Sequence, residues 1–280
     1  MPSPLVTSSL TLARRLFGPE SVPLWSGDLP RGGHPRPRVD VEERPAAVFF
    51  PSCLGQLFAP ARGGLGVSSA FLEICRRAGV NVMTPPGVGG LCCGTPWASK
   101  GLGGGYGQMR DKTMSALLEA TGDAGLPVLC DASSCTEGMR QLADGNGGKQ
   151  RLRVVDVVDY VAEELLPCLT IRQRLPALSL HPTCASTRLG SNVAMLAVAN
   201  AIADEVVVAA DWGCCGFAGD RGLLRPELTS AATRGESAEV GERHFNAYAS
   251  CNRTCEIGMT RATGHEYQHI IELVELLSRP

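Results

Sequence analysis

Apolar positions recur along this chain in two rhythms, and the rhythms alternate. Short β-rich runs come first: AVFFP ahead of Cys53, then VNVMTP, then LPVLC ahead of Ser134-Cys135. Between them, AFLEICRRAG (70–79) places Phe71, Ile74, Cys75 and Ala78 at helical spacing and stops at Gly79. MRDKTMSALLEATG predicts a second helix, ended by Gly122. The same order then returns. ALSLH predicts a strand, NVAMLAVANAIA a helix, EVVVAAD a strand, Glu227 to Arg243 a helix-prone stretch, and HFNAYAS a strand. Each series closes on a similar phrase, RVVDVVDYVAEELLP (153–167) and QHIIELVELLSRP (268–280). In the second, Tyr267, Ile270, Ile271, Val274 and Leu277 form a stripe for a helix packed on its own sheet.

Alternating β and α elements require parallel strands joined by right-handed crossovers. The expected fold is α/β, with two tandem pseudo-symmetric βαβαβ repeats and mostly parallel sheets. The expected divisions are 1–45 as an extension and linker, 46–170 as the first repeat and 171–280 as the second. LPRGGHPRPRVDVEERP, inside the linker, has neither helical nor strand periodicity.

Composition narrows the class. With 44% hydrophobic and 19% charged residues, the 280-residue chain reads as globular rather than disordered. A net charge of −2 and 5% aromatics give no footprint for nucleic acid. No run reaches the roughly 18–20 apolar residues of a spanning helix. The most apolar stretch, VAMLAVANAIADEVVVAA, is broken by Asn200, Asp204 and Glu205. MPSPLVTSSLTLARRLFG lacks the order of a secretory leader. A cytoplasmic protein with reduced thiols is expected, with peripheral attachment at the inner face of the membrane only through partners.

The twelve cysteines then supply the chemistry. The pattern C…CCG…C occurs twice, as Cys53, Cys92-Cys93 and Cys135, and as Cys184, Cys214-Cys215 and Cys255. Each member follows a predicted strand, and ligands in open α/β sheets gather beyond the carboxyl ends of strands. Adjacent cysteines share one site only if the backbone turns sharply, and Gly94 and Gly216 permit that turn. Four thiolates suit zinc or an iron–sulfur cluster. Zinc sites favour C-x₂₋₄-C knuckles; here the outer cysteines lie about 30–40 residues from each pair, so a cluster is preferred. The dense ferredoxin run is absent.

Other residues have two readings. Cys75 and Cys168 read as buried or incidental thiols, and Cys130 and Cys251 as imperfectly matched extra thiols. His181 stands where the first repeat has Phe50; it is a ligand, a hydrogen-bond partner of sulfur or a proton carrier, or simply a satisfied polar residue. Lys100 and Arg221 follow the two pairs at similar distances, as cations near an anionic site or as solvated charges, with Asp220 available to Arg221. GLGGGYG (101–107) reads as a flexible loop, and Trp97 as a cap on apolar surface. No G-x-S-x-G occurs, and no H-E-x-x-H helix is read although His265-Glu266-Tyr267-Gln268-His269 carries those letters, so no catalytic residues are expected.

The phrases FFPSCLGQLF, LCCGTPWASKG, DASSCTEGM, HPTCAS, DWGCCGFAGDRG and SCNRTCEIGM resemble the cysteine-rich CCG domain family. That family includes heterodisulfide reductase B subunits and the iron–sulfur subunits of glycolate and lactate oxidases. The likeness spans about residues 46–280 and is nearest to the C-terminal iron–sulfur region of FAD-dependent D-lactate dehydrogenases. It implies an electron-transfer subunit or portion of an oxidoreductase, in which FAD on another domain or subunit oxidises a 2-hydroxy acid, D-lactate or glycolate. It also implies a ferredoxin-type cluster module as neighbour and a quinone or cytochrome as acceptor. The wider family pattern ends in C-x-x-C, but Ala132 and Asn252 stand where the extra cysteine belongs. Four ligands and one 4Fe-4S cluster per repeat are therefore expected. The alternatives are heterodisulfide-reductase-like disulfide reduction on a cluster, and a zinc-stabilised scaffold with no redox role.

Overall fold

The strand-forming runs assemble into two separate four-stranded sheets, both entirely parallel. The computed structural model describes residues 4–27, 29–40, 44–122, 124–144 and 152–280. Helix α1 is Pro4–Phe17. The first half then runs β1 (Ala47–Phe50), α2 (Leu54–Leu57), α3 (Val67–Ala78), β2 (Val82–Met83), α4 (Thr95–Ser99), α5 (Gly103–Thr121), β3 (Val128–Cys130), α6 (Ser133–Asp144), β4 (Val154–Asp156) and α7 (Val157–Tyr160). The second half follows as β5 (Leu175–Leu180), α8 (Cys184–Leu189), α9 (Asn192–Ile202), β6 (Ala203–Val207), α10 (Arg221–Leu224), α11 (Pro226–Ala232), α12 (Arg234–Val240), β7 (Ala247–Ser250), α13 (Arg253–Thr263), β8 (Tyr267–His269) and α14 (Ile270–Leu277).

The strand orders β2-β1-β3-β4 and β6-β5-β7-β8 are the same order written twice. Register agrees as well: Cys130 pairs with Asp156, and the corresponding Ser250 pairs with His269. The expected α/β architecture is present, and each sheet gains an edge strand, β4 or β8, beyond the three anticipated. These strands hide at the start of the closing phrases, where three extended residues pass directly into a helix. GLGGGYG is not a loop, because its last five residues open α5. Gly105 lies against the Trp97 ring, leaving no space for a side chain there.

Alternation along β1 sends Ala47 and Phe49 to one face and Val48 and Phe50 to the other. The first face belongs to a core common to both halves. Phe71, Ile74, Val161 and Leu165 there meet Leu180, Met195, Val198, Ile271 and Val274. The closing helix α14 packs on α3 of the first half as well as on α9. Its stripe, Ile270, Ile271, Val274 and Leu277, is buried. At about 25 cal/mol per Å² of apolar surface removed from water, this common core is what binds the halves together.

Helix ends are capped across the boundary. Glu272 of α14 accepts a hydrogen bond from Gly66 N, ahead of α3. Asp159 of α7 accepts one from Ser191, ahead of α9. The connecting chain is also docked: Gly33 N donates to Gln56 O at 3.0 Å and Thr84 N to Val39 O at 2.9 Å. Its extended course needs no strand period, because these partners lie in α2 and just past β2 rather than in a strand. No helix among the described residues is long and apolar enough to cross a membrane.

Candidate metal centres

All eight predicted cysteines lie at the carboxyl edges of the two sheets or at the helix starts that follow. Cys53 caps the start of α2, and Cys135 lies in the first turn of α6. Cys184 opens α8, and Cys255 lies in the first turn of α13. The Cys92-Cys93 pair precedes α4, and the Cys214-Cys215 pair lies between β6 and α10. Gly94 and Gly216 adopt φ of 82° and 68°, the left-handed conformation that swings both thiols of a pair toward one centre. Close approach is enabled by Gly138 and Gly258. A Cβ on Gly138 would collide with Thr95 and the Cys93 carbonyl, and Gly258 sits against Cys215.

In the first half, Cys93 Sγ lies 3.4 Å from Cys135 Sγ. Burial and the neighbouring Cys93 and Cys92 lift the Cys53 thiol to about 11. The Cys93 contact and burial push Cys92 upward, and the Cys135 contact is the largest influence raising Cys93 to about 12. In the second half, Cys215 Sγ lies 3.1 Å from Cys255 Sγ. Cys214 and burial push Cys184 upward. Cys214 acts to lower Cys215, but Cys255 and burial outweigh it and lift that thiol to about 11. All these cysteines are free. Crowded, desolvated thiols resist ionisation because several negative sulfurs would share one low-dielectric space. A bound cation removes that penalty and displaces the protons.

The second half adds a histidine. His181 is fully buried, and its Nδ1 shares a 2.8 Å hydrogen bond with Glu236 Oε1. Its Nε2 has no hydrogen-bond partner. One ring nitrogen and the Cys215 and Cys255 sulfurs all lie within 4.8 Å of one another, so this buried group can hold a metal ion. The carboxylate behind the ring is the support metal-binding histidines usually have. Burial works to lower His181, but Cys215 and Glu236 outweigh it and raise the ring to about 9.

Cys130 ends β3, fully buried, where Cys93 and Cys135 lie close enough to interact with it. Cys251 instead faces the other half through Thr183, with Sγ 3.7 Å from the Thr183 hydroxyl. Cys75 is in the common core, and Cys168 is exposed. Lys100 pairs with Asp220 of the second half at 2.6 Å, so the partner of Asp220 is not its neighbour Arg221.

Two arginines were not anticipated. Arg36, in the connecting chain, donates to the Gly89 carbonyl at 2.7 Å and the Leu91 carbonyl at 3.0 Å. Its charge favours ionised Cys53 and Cys92. Nothing local in the sequence marks it, because its proximity is purely tertiary. Arg188 favours ionised Cys184 and forks onto Glu137 of the first half at 2.5 and 2.6 Å. Its place four residues after Cys184 put both on one helix face, a signal available in advance. Comparison of the chain with models of known protein families and with curated protein sequences finds no match.

Proposed function

We propose that the chain is an electron-transfer module holding one iron–sulfur cluster in each half. The observation that carries this reading is one close thiol pair at the equivalent edge of each of two equivalent sheets, with the outer thiols near enough to act on it electrostatically. The donor set suits a cluster, since Cys thiolates are its usual ligands. Cys53, Cys92, Cys93 and Cys135 would hold one, and Cys184, Cys214, Cys215 and Cys255 the other. Bound clusters would supply reversible one-electron chemistry.

The protein's own groups would set how readily that happens. The positive dipole ends of α6 and α13 lie at Cys135 and Cys255. Arg36 and Arg188 add positive charge beside one outer thiol in each half. Burial of Cys93, Cys135, Cys215 and Cys255 keeps water from the inner sulfurs. In the reading carried over from the family resemblance, electrons arrive from an FAD-bearing domain or subunit that oxidises D-lactate or glycolate. They pass by way of a ferredoxin-type module and leave to a quinone or cytochrome. The test is anaerobic purification and reconstitution, with iron and sulfide analysis and spectra before and after dithionite. About two clusters per chain that bleach on reduction are expected. A colourless, iron-free product would overturn the proposal.

A second reading is favoured by one observation. His181, Cys215 and Cys255 form the mixed nitrogen–sulfur set typical of tetrahedral zinc. Sulfurs around one zinc stand about 3.8 Å apart, given bonds of about 2.3 Å, and the inner pair here is at 3.1 Å. Zinc without iron in the same metal analysis would select this reading for the second half.

A further inference from the structure

The boundary between the halves is built twice, but only one copy is filled. Beside α6 and α8, Ser133 Oγ and Thr183 Oγ1 meet at 3.0 Å, and Thr136 donates to Asp156 at 2.7 Å. The corresponding place beside α2 and α13 holds a cavity of ≈ 60 Å³. By register, Glu256 and His269 take the positions of Thr136 and Asp156 there. The connecting chain at 34–37 forms one wall, and residues 65–69 form another. Exposed side chains, among them Gln56 and Ser69, form the rim.

Among the described residues, seven buried side-chain nitrogen or oxygen atoms have no hydrogen-bond partner. Four belong to residues lining this one cavity: Arg36 Nε, Arg253 Nε, Glu256 Oε1 and His269 Nε2. Glu256 is 1% exposed and His269 2%. The remaining atoms of these groups are engaged. Arg253 reaches Glu256 Oε2 at 2.9 Å and the Ala59 carbonyl at 2.6 Å, and Arg36 holds the Gly89 and Leu91 carbonyls. His269 Nδ1 accepts from Ile271 N, which puts the ring hydrogen on Nε2. The Cys251 carbonyl acts on that ring, but not in hydrogen-bond geometry. Each group left unmatched costs about 1–3 kcal/mol.

The unmatched set is therefore three N–H donors, two of them on cations, and one carboxylate acceptor. The other two carboxyl groups in the walls are already occupied. Asp131 accepts from Ser52 N at 2.6 Å and Ser68 Oγ at 2.5 Å, and Glu272 accepts from Gly66 N at 3.0 Å. Burial also lifts Glu272 to about 7, which weakens its opposition to a negative guest. A volume of ≈ 60 Å³ accepts several waters or one ligand of about six heavy atoms. Water satisfies such groups individually. A single molecule satisfies all four only if it bears an anionic acceptor at one end and a donor beside it.

We propose that this cavity binds a small hydroxy-carboxylate. Its carboxylate would accept from Arg36 Nε, Arg253 Nε and His269 Nε2, and its hydroxyl would donate to Glu256 Oε1. The inference rests on unpaired donors and acceptors, not on the metal content of the thiol sites. Its ligand class matches the 2-hydroxy acids of the proposed function, but at a place where no flavin is needed. Ser52 and Arg36 line the cavity and border Cys53, so occupancy has a direct route to the first thiol quartet.

The experiment is calorimetric titration of the full chain with D-lactate, acetate and inorganic phosphate, in iron-free and reconstituted forms. One saturable lactate site per chain is expected in both forms. Acetate, which lacks the hydroxyl, should bind about tenfold more weakly, the worth of one hydrogen bond to a charged group. Arg253→Lys keeps the charge but removes Nε and should weaken lactate by a similar factor. Ser69→Trp at the rim should block entry without touching any unpaired atom, and it decides the matter if Arg253→Lys misfolds. No lactate binding in either form, phosphate binding as tight as lactate, or lactate binding untouched by Ser69→Trp would each overturn the proposal. A chain that binds lactate but takes up no iron on reconstitution would sink only the cluster reading.

Discussion

The two halves place their thiols alike and surround them differently. In the first, Phe50 sits fully buried, paired in register with Cys130. At the matching position of the second, His181 leans on Glu236 and faces two sulfurs. The first set of thiols has Arg36 beside it, whose bonds to described residues all go to backbone carbonyls. The second has Arg188, whose charge is shared with Glu137. The halves thus share the part that depends on strand ends and glycine turns and differ in the polar environment. If each half holds the proposed cluster, the two centres are expected to differ in potential, since hydrogen bonds, burial and net charge set it.

The largest effect separates the halves outright. Cys93→Ser should abolish metal at the first centre and leave the second intact, and Cys215→Ser should do the reverse. Metal analysis would read each as a loss of about half the total, with a different spectrum remaining in each case. If either change empties both centres, the halves are not independent and the comparison fails.

Next comes the histidine. His181→Phe copies the first half into the second and strands Glu236, 2% exposed, without its partner. Breaking a buried pair in this way costs about 3–5 kcal/mol. The urea midpoint should fall accordingly and recover largely in the double variant with Glu236→Leu. An unchanged midpoint in the single variant would mean that the pair contributes nothing.

A third contrast lies at the edge strands, where Asp156 and His269 cap α7 and α14 from equivalent positions. Burial lifts Asp156 from 3.8 to about 7. Between those values the folded chain keeps a proton that the unfolded chain has released, so this group's contribution declines as pH rises from 3.8 to about 7. Burial pushes His269 from 6.5 down to about 3. There the unfolded chain holds the extra proton, so stability declines as pH falls from 6.5 toward 3. Asp156→Asn retains a capping oxygen and should stabilise the protein near pH 8 by on the order of 2 kcal/mol, with the gain vanishing near pH 4. His269→Asn should instead flatten the acid limb. Denaturant midpoints across pH would read both, and parallel profiles for the two variants would refute the assigned directions.

Much of this was legible in the chain because it depends on short-range rules. The helices stop where Gly79 and Gly122 take up left-handed caps, as their spacing implied. The inner pairs Cys93–Cys135 and Cys215–Cys255 meet because parallel strands bring their carboxyl ends to one edge. What escaped was whatever depends on tertiary approach. Arg36 lies in a segment without periodicity, yet its head group touches the carbonyls flanking two thiols. The edge strands β4 and β8 have only three residues each, too few for a period-two signal before the helix begins. The glycines of GLGGGYG signalled a loop, but tertiary packing against Trp97 recruited Gly103 onward into α5.

The smallest effect concerns Lys100 and Asp220, which join the loops beyond the two cysteine pairs. Position alone made Lys100 a candidate for tuning an anionic site. Its ammonium instead rests on a carboxylate, with the two side chains 50% and 44% exposed. An exposed pair of this kind is worth about 0–1 kcal/mol and is screened by salt. Lys100→Ala should therefore shift the urea midpoint by less than about 0.5 kcal/mol equivalent and leave both centres unaltered. Ile271→Ala, in the core that both halves share, should cost about 2–5 kcal/mol. If the lysine change loosened the halves as much as the isoleucine change, surface charge rather than common apolar packing would be what holds them together. The fully buried Ile271, against a half-exposed Lys100, argues for packing.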